Sequence, residues 1–293
     1  MLTFRSDLAA LEALALDHPQ WNWYAIADSA QHRALPEALV REGAELRCLL
    51  GAAQGSPVAR QAPHLVALGS PLDSSSAWKW IGLHAHAAPC VTLIASGASF
   101  DVLFAQLASC TEAVLPDGDA MFFGFWDPAI LATLVGQADD ATLHVRGPVL
   151  DAHQRAVLLA QKDGWWYWDR EGHFHRLRME AVDAAGEAPL QLRQEQVDQL
   201  VEASVPDHVV YFLELNQPAL IEQIPREARY RHVRDALADA RAHGLSTMQD
   251  MVNFVCAALI YRERFDSDPA ITALLADVRH GKLAFADALA QMP

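Results

Sequence analysis

Short apolar runs recur through the first half of this chain, and they set the tightest limit on its fold. Residues 21–27 (WNWYAIA) are rich in β-branched and aromatic side chains, and 64–68 (HLVAL) and 90–95 (CVTLIA) are apolar runs. Each has the length of a strand and is too short for a core helix. Residues 46–50 (LRCLL) and 121–126 (MFFGFW) read the same way. Between them lie stretches with helical spacing. Residues 6–16 carry a stripe of Leu8, Leu11, Leu14 and Ala15 behind a possible Ser6 cap, and 36–41 form a short helix with Pro36 in its first turn. Residues 74–76 cap a helix over AWKWIGLHAHA. Residues 99–109 return to helical spacing, and Asp127-Pro128 opens a further helix that Gly136 closes. Strands alternating with helices over about 135 residues predict an α/β (α+β) lobe with a largely parallel or mixed sheet and flanking helices.

The pattern then changes. Residues 155–160, 164–168 and 173–177 read as a three-stranded antiparallel meander, with Lys162-Asp163-Gly164 and Arg170-Glu171-Gly172 as its turns. From Leu192 onward the spacing is helical, with helices expected at about 193–203, 207–217, 227–243, 247–262, 270–280 and 283–290. Val252, Phe254, Val255, Leu259 and Ile260 surround most of one helix and mark it as the core of a helical lobe. The organisation expected is an α/β domain over 1–150, a β-meander over 151–188 that extends or bridges it, and a mainly α-helical lobe over 189–293.

Composition narrows the function classes. The 293 residues include 22 Lys+Arg against 37 Asp+Glu, a net charge of −15, with no run of basic residues. That balance argues against a general nucleic-acid or anionic-membrane partner. Four widely spaced cysteines, Cys48, Cys90, Cys110 and Cys256, form no CxxC and read as buried free thiols in a reducing compartment. No segment approaches a membrane span, and the first residues lack the pattern of a signal peptide. The expectation is a soluble, cytoplasmic protein.

Residues that could carry chemistry are few. There is no GxSxG, Walker A or GxGxxG sequence. Ser96, in ASGAS, lacks the leading glycine of a nucleophile elbow, and the small residues 51–55 read as a surface loop. His84 and His86 lie near a helix end, where i and i+2 point apart. His173 and His175 lie on a strand, where i and i+2 share a face, but no neighbouring carboxylate completes a metal shell in the sequence. Asp117-Asp119 and Asp139-Asp140 read as solvated acidic loops. No cofactor or metal is expected. The run Trp165-Trp166-Tyr167-Trp168 places aromatic rings on both faces of one strand. Either this chain covers both faces, or one face meets a partner, since Trp and Tyr dominate interface hot spots. A sugar platform is a third use for the same rings. A hydrolase acting through Ser96 or a histidine-held metal is the enzymatic alternative.

The order of short motifs resembles a known family. YAIADSA (24–30), APHLVAL (62–68), VTLIASGASFDVLFAQL (91–107), MFFGFWDPAIL (121–131) and RGPV (146–149) follow one another as in the type VI secretion effector chaperone/adaptor family. The resemblance covers about residues 20–150. It departs from the family pattern at Phe123-Gly124-Phe125 and Ala129, where arginines are usual, and at Gln106-Leu107-Ala108. It implies a non-enzymatic cytoplasmic protein that binds a secreted effector and helps load it onto the VgrG spike, with the C-terminal lobe helping to choose the cargo. It also implies structural roles: Asp28 ends its strand and caps a turn, Pro63 opens a strand, Asp127 caps the helix that Pro128 starts, and Gly147 and Pro148 turn the chain. On this reading Trp165, Trp166, Tyr167 and Trp168 are the partner-binding residues, and the protein is a monomer when free of cargo.

Overall fold

A computed structural model describes residues 2–32, 44–73, 75–85, 90–179 and 188–293. The expected helix at 36–41, Ser74, His86 and the polar stretch 183–187 lie outside the described residues. The chain divides into two compact units, Met1–Ala203 and Ser204–Pro293.

The first unit is built on a six-stranded sheet. In chain order its strands are β1 (Asn22–Asp28), β2 (Leu46–Cys48), β3 (Pro63–Ala67), β4 (Val91–Ser96), β7 (Gly164–Trp168) and β8 (Phe174–Arg176). Their spatial order is β2-β3-β1-β4-β7-β8, and every neighbouring pair is antiparallel. Among the described residues, parallel pairing occurs only in a separate three-stranded sheet, where β5 (Glu112–Val114) lies between antiparallel β6 (Ala120–Phe122) and parallel β9 (Leu190–Gln191). Both sheets fall within the α/β (α+β) class that the sequence predicts.

Alternation along each strand sends side chains to two separate apolar layers. One layer joins Trp23, Ala25, Val66, Leu93, Trp166 and Trp168 to Leu11 and Ala15 of α1 (Leu2–Asp17) and to Trp78 and Ile81 of α2 (Ser76–His84). The other joins Tyr24, Ile26, Leu65, Ile94, Trp165 and Tyr167 to α3 (Phe100–Ser109), α4 (Pro128–Val135) and α5 (Ala152–Leu159) through Leu103, Leu131 and Leu158. The sheet is therefore a middle layer with helices on both faces. That is why its central strands are buried at nearly every position.

Local signals explain the helix limits. Ser75 accepts a hydrogen bond from the Trp78 N–H, and Asp127 accepts from Ala129 and Ile130 just ahead of Pro128 at the first helical position. Gly136 ends α4 in the left-handed region. By contrast, α1 starts ahead of Ser6, which is no cap.

Three expectations are corrected. Residues 155–159 are not the first strand of a meander but the last part of α5, and Ala160 is its C-cap. Asp151 and Gln154 form a reciprocal capping box at its start, and Val157, Leu158 and Leu159 pack inward. The expected three-stranded meander over 151–188 therefore reduces to two strands. β7 and β8 extend the main sheet, and the division of the chain falls at Ala203/Ser204 rather than after residue 188. Likewise, the helices expected at 193–203 and 207–217 are one helix, α6 (Gln194–Asn216), with Pro206 inside it. Proline removes one backbone donor there without ending the helix.

The second unit is all helical: the end of α6, then α7 (Pro218–Ile221), α8 (Arg226–Ala242), α9 (Met248–Tyr261), α10 (Glu263–Ser267), α11 (Pro269–Arg279) and α12 (Phe285–Gln291). α9 belongs to two cores at once. Met251, Val255 and Leu259 pack with Val209, Leu213, Val233 and Leu237. Phe254 and Ala257 pack with Phe265, Ile271, Leu275 and Phe285. A helix shared between two cores must be apolar around most of its circumference, as its sequence is.

Candidate functional site

The four aromatic residues of β7 lie inside the first unit. Trp165 and Tyr167 point into one apolar layer and Trp166 and Trp168 into the other, as the strand period requires, and none is more than 3 % exposed. The polar atoms of three of them are hydrogen-bonded. Trp165 Nε1 donates to Thr92 Oγ1 at 2.9 Å, Trp168 Nε1 to Asp7 Oδ2 at 3.1 Å, and the Tyr167 hydroxyl to Asp140 Oδ2 at 2.8 Å. The Trp166 ring stacks on Trp23 with centroids 5.6 Å apart. It also folds over Gly164, where a Cβ would come within 2.1 Å of the ring, so only glycine fits. The assignment of Trp165, Trp166, Tyr167 and Trp168 to partner binding is therefore corrected, and so is the sugar platform. Helices of the same chain cover both faces of the strand.

The end of this strand leads into a polar cluster that the sequence reading dispersed among loops. Asp140 and Asp169 are buried, and so is His175 on β8. Asp140 accepts from Tyr167 through Oδ2, and from the Thr142 N–H (2.8 Å) and hydroxyl (2.6 Å) through Oδ1. Asp169 accepts the backbone N–H groups of Glu171 and His173 through Oδ1, and the rings of His175 (2.9 Å) and His173 (3.1 Å) through Oδ2. The other His175 nitrogen lies 3.4 Å from Asp139 Oδ2. Burial alone would raise the Asp169 pKa, but the hydrogen bonds from His175, His173 and Glu171 outweigh it and bring it to about 2. Burial likewise works against a charged His175, yet Asp169, Asp140 and Asp139 raise its pKa above the ordinary histidine value. Both shifts describe the same charged pair.

Thus the HxH pair does meet carboxylates, and Asp139-Asp140 is only half solvated: Asp139 is exposed, Asp140 buried. Ligand atoms of Asp140, Asp169 and His175 lie within 4.8 Å of one another, the one such group among the described residues. Protein donors already engage the carboxylate oxygens of both aspartates, so this set fits a hydrogen-bonded strut better than a metal shell. The Asp169-x-x-Gly172 turn was the available sequence signal. What it lacked was the loop partner some thirty residues earlier.

The remaining candidates have structural surroundings. Asp28 ends β1, pairs across the sheet with Pro63 at the start of β3, and accepts the Ala30 N–H at 2.9 Å. Burial first, with nearby Asp127 adding to it, raises its pKa to about 6. Gly147 adopts φ +66°, and a Cβ there would lie 2.1 Å from the Thr133 carbonyl oxygen, so the Gly147-Pro148 turn packs directly on α4. Ser96 is buried; its hydroxyl donates to the Gln161 carbonyl and accepts from the Ala98 N–H. No histidine or carboxylate contacts it among the described residues. The His84 ring lies tilted against Trp80 (centroids 4.5 Å apart) and edge-on to His32 (5.4 Å).

Apolar surface does remain open on α6. Tyr211 (66 % exposed) and Phe212 (44 %) lie four and three residues before Leu215 (67 %), on one side of the helix. Val209 and Leu213, on the other side, fill the core.

The first unit thus defines an antiparallel-sheet α/β domain with a buried polar strut and a turn packed on α4. Residues 23–144 match the model of one protein family, described as a domain of unknown function (DUF4123). No curated protein and no solved structure matches the chain. Among the described residues, no helix is long and apolar enough to cross a membrane.

Proposed function

We propose that this protein is a cytoplasmic chaperone or adaptor that binds a type VI secretion effector and helps load it onto the VgrG spike. The observation that carries the reading is the ordered series of motifs between residues 20 and 150, which overlaps the family match over 23–144. Its residues act as strand ends, caps and turns, which suits a binding scaffold. The contact surface assigned to cargo is the α6 patch of Tyr211, Phe212 and Leu215, because exposed aromatic and aliphatic side chains at helical spacing supply the apolar centre of an interface.

The test is secretion. Deleting the gene should abolish export of the effector encoded beside it while the spike is still exported. Normal export of that effector would remove the proposal. In binding measurements with the purified effector, Tyr211→Glu combined with Leu215→Glu should weaken capture by about a hundredfold or more, as for hot-spot residues, with an unchanged urea midpoint. Undiminished capture would place the contact elsewhere on the protein.

A further inference from the structure

The small sheet of the first unit ends in an open edge. β6 is its outer strand, and β5 separates it from β9. The Leu115 N–H donates to the Asp119 carbonyl and the Phe123 N–H to the Thr111 carbonyl, each at 2.8 Å, on either side of the Ala113–Met121 pair. Residues 119, 121 and 123 therefore turn their backbone groups toward β5, whereas Ala120 and Phe122 turn theirs outward. Both outward residues are exposed, and their outward groups meet no hydrogen-bond partner among the described residues.

Side chains alternate across the same strand. Met121 and Ala113 pack against the core, whereas Phe122, 68 % exposed, lies on the open face opposite the exposed Glu112. Edge strands are commonly guarded by lysine or proline, and residues 119–123 (DAMFF) hold neither. The surroundings of the edge are acidic instead. Glu112, Asp117 and Asp119 are all exposed, and none of them forms an ion pair among the described residues.

A second copy of this chain is a poor occupant. Pairing β6 with its own counterpart would set two acidic hairpins side by side and bring together two chains of net charge −15. An extended segment with basic side chains meets both demands of the edge. Its backbone pairs with Ala120 and Phe122, and its lysines or arginines face Glu112, Asp117 and Asp119. We propose that the β6 edge binds an extended, basic segment of a partner protein by strand addition, with an apolar side chain of that segment against Phe122. This contact is separate from the effector patch on α6.

Fluorescence polarisation with the full chain and labelled hexapeptides tests it. The first peptide has lysine at both ends and valine and threonine between. The second replaces the lysines by glutamate, and the third places proline at the two central positions. The lysine peptide should bind with a dissociation constant below about 1 mM, and the other two at least about tenfold more weakly. Ala120→Pro removes an outward N–H without touching the ladder to β5, and should weaken the lysine peptide by about tenfold. Phe122→Thr keeps a strand-forming residue and should also cost about tenfold, through the lost apolar contact. Both variants should keep the melting temperature of the wild type, and Tyr211→Glu with Leu215→Glu should bind the peptide as the wild type does. Absence of binding by the lysine peptide overturns the proposal, and equal binding of the glutamate peptide rules out the basic partner. Equal binding of the proline peptide, or undiminished binding by the two β6 variants, rules out strand addition. Loss of binding in the Tyr211, Leu215 variant moves the peptide to α6. A dimer in sedimentation that Ala120→Pro abolishes gives the edge to a second copy and likewise overturns the proposal.

Discussion

Replacing Trp166 by alanine separates a core residue from an interface residue more sharply than any other single change here. The ring is 3 % exposed, stacks on Trp23 and lies under the Arg176 guanidinium. A buried indole removes roughly 150–250 Å² from water, which at about 25 cal/mol/Å² is about 4–6 kcal/mol as an upper bound. Large-to-small substitutions of buried tryptophan cost about 3–5 kcal/mol once partial collapse of the cavity is allowed for. We expect Trp166→Ala to destabilise the first unit by that amount, or to lower its melting temperature by about 6–20 °C. Urea unfolding followed by far-UV circular dichroism is the suitable assay, because fluorescence would change with the loss of the indole itself. An interface residue would behave in the opposite way, with stability nearly unchanged and effector capture lost. A change below about 1 kcal/mol at constant m-value would refute the placement of β7 between two covered faces.

Three further outcomes follow from the polar groups and the turn. Asp28→Asn keeps an oxygen for the Ala30 N–H but removes a buried charge. Because the folded-state pKa of Asp28 is raised to about 6, the wild type loses stability as pH rises from about 4 to about 6, so the variant should gain on it over that window by up to about 3 kcal/mol; a flat difference in pH-dependent melts refutes this. Asp169→Asn acts in the opposite sense. The Asp169 contribution is present above pH ~4 and lost as pH falls through about 2, while that of His175 is present below its unfolded value near 6.5 and lost as pH rises through its raised folded value. The variant should therefore be about 2 kcal/mol less stable near pH 5–6, with the deficit shrinking on either side, and a deficit independent of pH would count against the charged pair. Gly147→Ala should cost about 2–4 kcal/mol by thermal melting, from the left-handed backbone and the contact with the Thr133 carbonyl; a neutral effect would contradict the packing of that turn on α4.

Sequence patterns were most informative where local chemistry decides the structure. Asp127-Pro128 and Gly136 marked both ends of α4, and the alternation in residues 164–168 assigned each aromatic ring to its own layer. They failed where the deciding partner is distant or the pattern is ambiguous. The apolar run 155–160 has no period that separates a buried strand from a buried helix turn, and the Asp151…Gln154 capping box ahead of it was the better signal. Two helices were expected at 193–203 and 207–217, but burial of Val205, Val209 and Leu213 along one face holds α6 together across Pro206. Likewise, two-sided aromaticity in β7 left open whether this chain or a partner covers the second face, and the assignment to a partner failed because the covering helices are distant in sequence. The buried strut was illegible for the same reason: Asp140 and Asp169 are 29 residues apart, and only the approach of β7 and β8 to the loop after α4 makes them neighbours.

Apolar area, not charge, defines the effector patch on α6. Effector capture through Tyr211, Phe212 and Leu215 should therefore change little between low and high salt, whereas a contact built from exposed ion pairs would weaken steeply as the charges are screened. Capture that is lost at high salt, with the fold preserved, would mean that charged groups rather than these three side chains hold the effector, and the patch would then have to be reassigned.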